Sequence, residues 1–248
     1  MARGGDGLVR GTGDSRGLPA LAVRGHFRKH SDDLVARGID RERIEVHHPG
    51  IRRPEGTAPP LLERSRRVVY VGRLEAYKRI DVLLEAVARL VPTVPDIEVA
   101  IVGQGSERAR LERRAAELGL GERTHFTGFV DDTERDRQLA SARVCVCPST
   151  KEGWGLTVIE SNAVGTPNVA TDAPGLRDSV RSGETGFLVA DGDVAAFSEK
   201  IGALLCDDAL ALRMSRAAQA WSERFAWEEA ANRMEAALER SLASATSA

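Results

Sequence analysis

Val144-Cys145-Val146-Cys147-Pro148-Ser149-Thr150-Lys151-Glu152-Gly153-Trp154-Gly155-Leu156-Thr157-Val158-Ile159-Glu160 opens on four apolar residues and turns through Pro148 to Gly155 before its last segment. Four apolar residues stopped by a proline predict a buried strand, and the segment from Leu156 to about Val164 predicts the helix after it. The same unit recurs upstream. Val68–Val71 ends at Gly72 and precedes a helix with Ile80, Leu83, Leu84, Val87 and Leu90 on one face. Ile97–Val102 precedes a charged helix over roughly Ser106–Leu118, and Thr124–Phe126 precedes one near Thr133–Ala142. Downstream, Asn168–Ala170 and Phe187–Val189 read as further strands, with closing helices over Val194–Leu205, Ala209–Phe225 and from Trp227 to about Leu242. Short apolar strands alternating with amphipathic helices predict an α/β domain, a doubly wound, Rossmann-like parallel sheet covered on both faces. Ligands of such sheets bind at the carboxyl ends of the strands, so the chemistry belongs in the loops after Val71, Val102, Phe126 and Cys147.

Composition narrows the classes. The 248 residues carry a net charge of -2, with 42% hydrophobic and 29% charged residues, ordinary for a globular protein and no general case for nucleic-acid binding. No window approaches the 18 apolar residues of a membrane span. Cys145 and Cys147 fall on one face of a buried strand, and with Cys206 they read as reduced thiols in a cytoplasmic protein, not as a zinc site or a disulfide framework. Residues 1–30 hold six basic residues against Asp6 and Asp14, without periodicity. They read as an irregular, solvated tail, with peripheral contact at the inner face of a membrane as the alternative. Ser31 is placed as the cap of a short helix through Gly38, a strand follows near Ile44–His48, and Pro54, Pro59 and Pro60 mark a linker.

The loops carry distinct chemistry. Gly72-Arg73 with Lys78 five positions on puts two cations between a strand end and a helix start, where free backbone N–H groups also favour a phosphate or diphosphate. Gly103-Gln104-Gly105 allows close backbone approach to a ligand. Arg108 stands where a dinucleotide fingerprint needs its third glycine, which argues against a dehydrogenase. In the fourth loop Glu152 precedes the helix and Glu160 lies within it, while Gly153 and Gly155 leave amide donors open. Carboxylates accept from vicinal sugar hydroxyls and sit badly beside phosphate unless cations intervene. The set suits a ligand with hydroxyls at both ends and a diphosphate between them, such as a nucleotide sugar. Asp191-Gly192-Asp193 stands before a helix, where an aspartate caps, and is read as a cap and not as a metal site.

The glutamate pair eight residues apart after Pro148-Ser149, with Gly72, Arg73 and Lys78 upstream, resembles the retaining glycosyltransferases of family 4, which have the GT-B fold. Gly165-Thr166-Pro167, Asp172–Asp178, Gly183–Phe187 and Phe225-Ala226-Trp227 extend the resemblance, which spans about residues 31–242. It implies a hexosyltransferase acting from a UDP- or GDP-linked sugar on a glycan or lipid acceptor, with retention, no metal and no cofactor. Arg73 and Lys78 would hold the diphosphate and stabilise the leaving nucleotide, and Glu152 would contact sugar hydroxyls. Glu160 would take the ribose hydroxyls. Gly72, Gly103, Gly105, Gly153, Trp154, Gly155, Leu156 and Thr157 would line the donor, and the Phe129-Val130 backbone would lie by the base. A sugar epimerase of the same fold fits this constellation less well.

The resemblance also implies an organisation. Residues 31–65 match the end of an acceptor domain plus a linker, 66–225 the nucleotide-sugar domain, and 226–248 a crossover helix and tail, with residues 1–30 unmatched. Most of the acceptor domain has no counterpart, so the chain is expected to be truncated or to need a separate N-terminal-half polypeptide. The alternative is a non-catalytic nucleotide-sugar-binding module.

Overall fold

A computed structural model describes residues 23–25, 28–54 and 56–246. Their elements run β1 (Val23–Gly25), α1 (Arg28–Ala36), β2 (Ile44–Val46), β3 (Arg67–Val71), α2 (Ile80–Leu90), β4 (Glu98–Val102), α3 (Arg108–Glu117), β5 (Thr124–Gly128), α4 (Asp132–Ser141), β6 (Val144–Cys147), α5 (Leu156–Ala163), β7 (Asn168–Thr171), α6 (Pro174–Ser179), β8 (Gly186–Val189), α7 (Val194–Cys206), α8 (Asp208–Ser222) and α9 (Trp227–Thr246). The main sheet is parallel throughout, in the order β5-β4-β3-β6-β7-β8. The chain thus winds outward from β3 in one direction and returns to wind from β6 in the other, the doubly wound topology expected.

Each strand supplies both faces of the sheet because successive side chains alternate. Val68, Tyr70, Val144 and Val146 pack under α2, α3, α7 and the start of α8 with Ile101, Leu111, Phe197 and Met214. Val69, Ala100, Cys145 and Cys147 pack under α4, α5 and α6 with Leu139, Val158 and Leu176. The two cysteines share a face, as their spacing predicts, and all three thiols are free. The apolar stripe expected on α2 is buried entire.

Three local expectations need correction. Residues 23–25 are not irregular: β1 pairs in parallel with β2, Val23 opposite Ile44, through backbone bonds that demand no apolar pattern. Residues 28–30 already belong to α1, so Ser31 is not its cap but a buried residue inside the helix. Residues 1–22, the bulk of the expected basic tail, lie outside the described residues. Finally, Pro174–Ser179 is a helix where none is expected between the strands; proline at its first turn gives up an N–H that has no partner there.

The N-terminal unit is tied to the end of the chain. Ile51 and Ala226 form a parallel bridge, with Ile51 N donating to Phe225 O at 2.7 Å and Trp227 N to Ile51 O at 3.1 Å. Arg240 of α9 reaches Glu45 of β2 at 2.7 Å. The proline-rich linker is anchored by buried Arg64, which donates to the carbonyls of Pro59, Ala142 and Val164 and to Thr166 Oγ1. Burial pulls its guanidinium down to about 10. Among the described residues no helix is long and apolar enough to cross a membrane.

Candidate functional site

The sheet order reverses between β3 and β6, and the loops leaving these two neighbours define a crevice at their carboxyl ends. After β3 the chain makes a 3-10 turn over Ala76–Lys78 and enters α2 through Arg79 in the left-handed conformation. Buried Tyr70 donates its hydroxyl to Arg73 O at 2.8 Å and pins this loop from below. Burial raises that phenol well above its usual range, so it stays a donor. The loop after β4 is laced into it: Leu74 N donates to Gln104 O, and Gly103 N to Gly128 O at the end of β5. A Cβ at Gly103 would stand 1.9 Å from Gly72 O, and Gly103 has φ 133°, so only glycine fits.

Lys78 and Glu152 meet across the crevice. Lys78 Nζ lies 2.5 Å from Glu152 Oε1, which also accepts from Ser149 Oγ at 2.8 Å. The side chains are 12% and 20% exposed, so the pair is held at a partly dry site while remaining reachable. Thr150 N donates to Tyr77 O at 3.0 Å, and Thr157 Oγ1 donates to Val71 O at 3.4 Å, closing the β6 loop onto β3. Arg73 is exposed and donates to the Tyr77 hydroxyl at 2.7 Å. It does not pair with Glu75, which instead accepts from Ser106 Oγ.

Gly155 stands in the left-handed region at φ 78°, and no side chain caps α5, which leaves the helix start at Leu156 and Thr157 as backbone donors. Of the residues expected around the crevice, Trp154 departs in one respect. Its ring is buried, stacked on His48 at 5.0 Å and edge-on to Phe225 at 4.9 Å, so only its backbone borders the loop. Asp193 accepts from Ala196 N at 2.9 Å and caps α7 as expected, while Asp191 faces Arg79 at 3.4 Å.

Beside the pair opens a groove of about 500 Å³ lined by Gly72, Arg73, Gly103, Gln104, Phe129, Val130 and Arg135. Phe129 is 77% exposed on its lip. Glu160 reaches the groove through Arg135, whose Nη1 lies 3.2 Å from Glu160 Oε1. Burial raises the Glu160 carboxyl, and the Arg135 cation opposes that rise. The crevice therefore offers cations at the β3 loop, carboxylates on either side, and open amides at a helix start.

Sequence reasoning missed Arg135, Ser149 and Tyr77. Arg135 had a legible signal: it stands four residues before buried Leu139 on the core side of α4, an unusual place for a charge. The start of α6 was also missed; a Cβ at Gly175 would stand 2.4 Å from Glu152 O, so this helix backs the Glu152 loop directly.

Comparison with known proteins follows the same lines. Residues 56–221 match the family described as Glycosyl transferases group 1. The D-inositol 3-phosphate glycosyltransferase of Streptomyces avermitilis is 34% identical over 224 residues, covering 82% of this chain and 48% of that protein. Its namesake in Mycobacterium marinum is 35% identical over 217 residues, covering 85% and 45%. The chain spans about half the length of these relatives. Among solved structures, Anabaena HepE in complex with UDP superposes with a TM-score of 0.79 at 23% identity, over 88% of this chain and 64% of that one. Sucrose-phosphate synthase from Thermosynechococcus elongatus superposes with a TM-score of 0.77 at 28% identity, over 90% and 58%.

Proposed function

Because the chain belongs to the glycosyl transferases group 1 family, we propose that it is the donor half of a retaining, metal-independent glycosyltransferase of family 4. It binds a nucleotide-diphosphate sugar, UDP- or GDP-linked, from which a hexosyl unit passes to a glycan or lipid acceptor. The observation that carries this reading is the meeting of Lys78 with Glu152 across the switch point, with Arg73 on the same groove. Two cations, with the donors at the start of α5, suit the diphosphate and the charge that develops on the leaving nucleotide. They supply the positive charge that other transferases take from a metal. In this reading Glu152, held by Lys78 and Ser149, accepts from sugar hydroxyls, and Glu160 from the ribose. Gly72, Gly103, Gly105, Gly153, Gly155 and the backbone at Phe129, Val130 and Trp154 let the ligand lie close. The UDP bound in HepE supports a nucleotide ligand for this fold.

Residues 66–225 form the donor-binding unit in this reading, and acceptor binding falls to a first domain, of which residues 31–65 are the end. A second reading is a non-catalytic nucleotide-sugar-binding module, favoured by the fact that every side chain gathered at the crevice is assigned above to the donor. Calorimetry with UDP, GDP and ADP tests the first statement, and micromolar binding of one is expected. No binding to any of the three overturns it. Sugar transfer by the purified chain alone removes the second reading.

A further inference from the structure

The Arg135 guanidinium is held from its own helix. Its Nε and Nη2 donate to Asp136 Oδ1 at 3.0 and 2.8 Å, and its Nη1 to Asp132 Oδ1 at 3.0 Å. Asp136 is itself almost buried, with 10% of its side chain exposed, so this clamp is rigid. The same Nη1 lies 3.2 Å from Glu160 Oε1 on α5, and both side chains are nearly buried, 20% and 17% exposed. The second Glu160 oxygen has no partner among the described residues. A planar cation locked on one side presents a fixed positive charge on the other, which sets the position of a carboxylate without further loss of freedom.

We infer that Arg135 is a positioning residue, which holds the Glu160 carboxylate in place for the hydroxyl pair of a nucleotide ribose. The inference rests on the nucleotide reading above. Three of the five Arg135 N–H donors are taken by Asp132 and Asp136 and a fourth faces Glu160, so the guanidinium is engaged chiefly within α4 and with Glu160. The charges acting on Glu160 come from α4: Arg135 against it, then Asp136 and Asp132. Within α5 no other residue is charged, β6 and β7 carry no acidic or basic side chain, and the charged residues of α6 and α8 do not reach it. Burial raises the Glu160 carboxyl and Arg135 opposes it. Removing Arg135 leaves burial unopposed, Asp132 without its cation and Asp136 with only Arg52 at 3.9 Å, so Glu160 takes up its proton at a higher pH.

The test is UDP and GDP affinity between pH 8 and pH 6, by calorimetry, on the wild-type chain, Arg135→Gln and Arg135→Lys. The wild type is expected to change by less than about 2-fold, and Arg135→Gln to weaken by about 5-fold or more as the pH falls, with Arg135→Lys between them. Carboxyl carbon-13 NMR of Glu160 supplies a readout free of ligand: its titration is expected to move to higher pH in Arg135→Gln. An unmoved titration, or a loss of affinity that is the same at both ends of the pH range, overturns the role of Arg135 alone. A wild-type chain that binds no nucleotide overturns the function proposed above and this role with it.

Discussion

Lys78 Nζ and Glu152 Oε1 stand 2.5 Å apart, although 74 positions separate them, because β3 and β6 are neighbours in the sheet and each residue sits in the loop that leaves its strand. The pair couples the cationic and the carboxylate side of the crevice, so neither can be changed alone.

Lys78→Gln removes the cation and leaves Glu152 with only the Ser149 hydroxyl. A charge-assisted bond to phosphate is worth about 1.5–3 kcal/mol, and affinity for UDP or GDP is expected to fall about 10- to 100-fold. Calorimetry on the variant checks this, and unchanged affinity would place the diphosphate elsewhere.

Glu160→Gln separates stability from binding. Burial raises the Glu160 carboxyl in the folded chain, so the native state holds that proton to a higher pH than the unfolded chain does. Its contribution is therefore most favourable below the unfolded carboxylate range and is lost as pH rises through the folded value. Relative to the wild type, Glu160→Gln should gain stability in urea melts as pH rises from 4 to 8, while nucleotide affinity falls. A gain that grows as pH falls would contradict the shift.

Trp154→Ala empties a buried site between His48, Ile51 and Phe225, and a loss of about 3–5 kcal/mol is expected in denaturant melts. Trp154→Phe should cost much less, about 1 kcal/mol, since the buried indole Nε1 has no hydrogen-bond partner among the described residues and the benzyl ring keeps most of the packing. Equal losses in the two variants would show that the nitrogen is satisfied in solution.

Gly103→Ala sets a methyl against Gly72 O at 1.9 Å and strains a residue at φ 133°, so the β3 and β4 loops must part. A loss of about 3 kcal/mol or more, measured by thermal unfolding, is expected together with lost nucleotide affinity. Gly121→Ala, where a Cβ meets nothing within 4 Å, is the control and should be close to neutral.

Much of the fold was legible. The apolar tetrads of β3 and β6 and the stripe on α2 are long-range burial written as local pattern, because a chain cannot bury one face without repeating it at the period of its own geometry. β1 was not legible: Val23-Arg24-Gly25 has no pattern and becomes a strand only because Ile44–Val46 pairs with it. Ser31 looked like a cap because serine is a preferred residue at helix starts, whereas here the helix begins earlier. Pro174 is a first-turn residue of α6, a helix of six residues and too short for periodicity to show.

The residues of the candidate site divide in the same way. From sequence alone came the residue types at the strand ends: Arg73 and Lys78 after β3, the glycines after β4, Glu152 and Glu160 around the start of α5. These are legible because a doubly wound sheet puts its loops at one edge whatever its details. Tertiary structure alone decided the partners. Strand order brought Lys78 to Glu152, the packing of α4 on α5 brought Arg135 to Glu160, and the return of the chain at Phe225 buried Trp154 beside His48. Hydrophobic periodicity records which side of an element faces inward. It does not record which charged residue of a distant element will stand opposite, since that depends on sheet order and helix packing together.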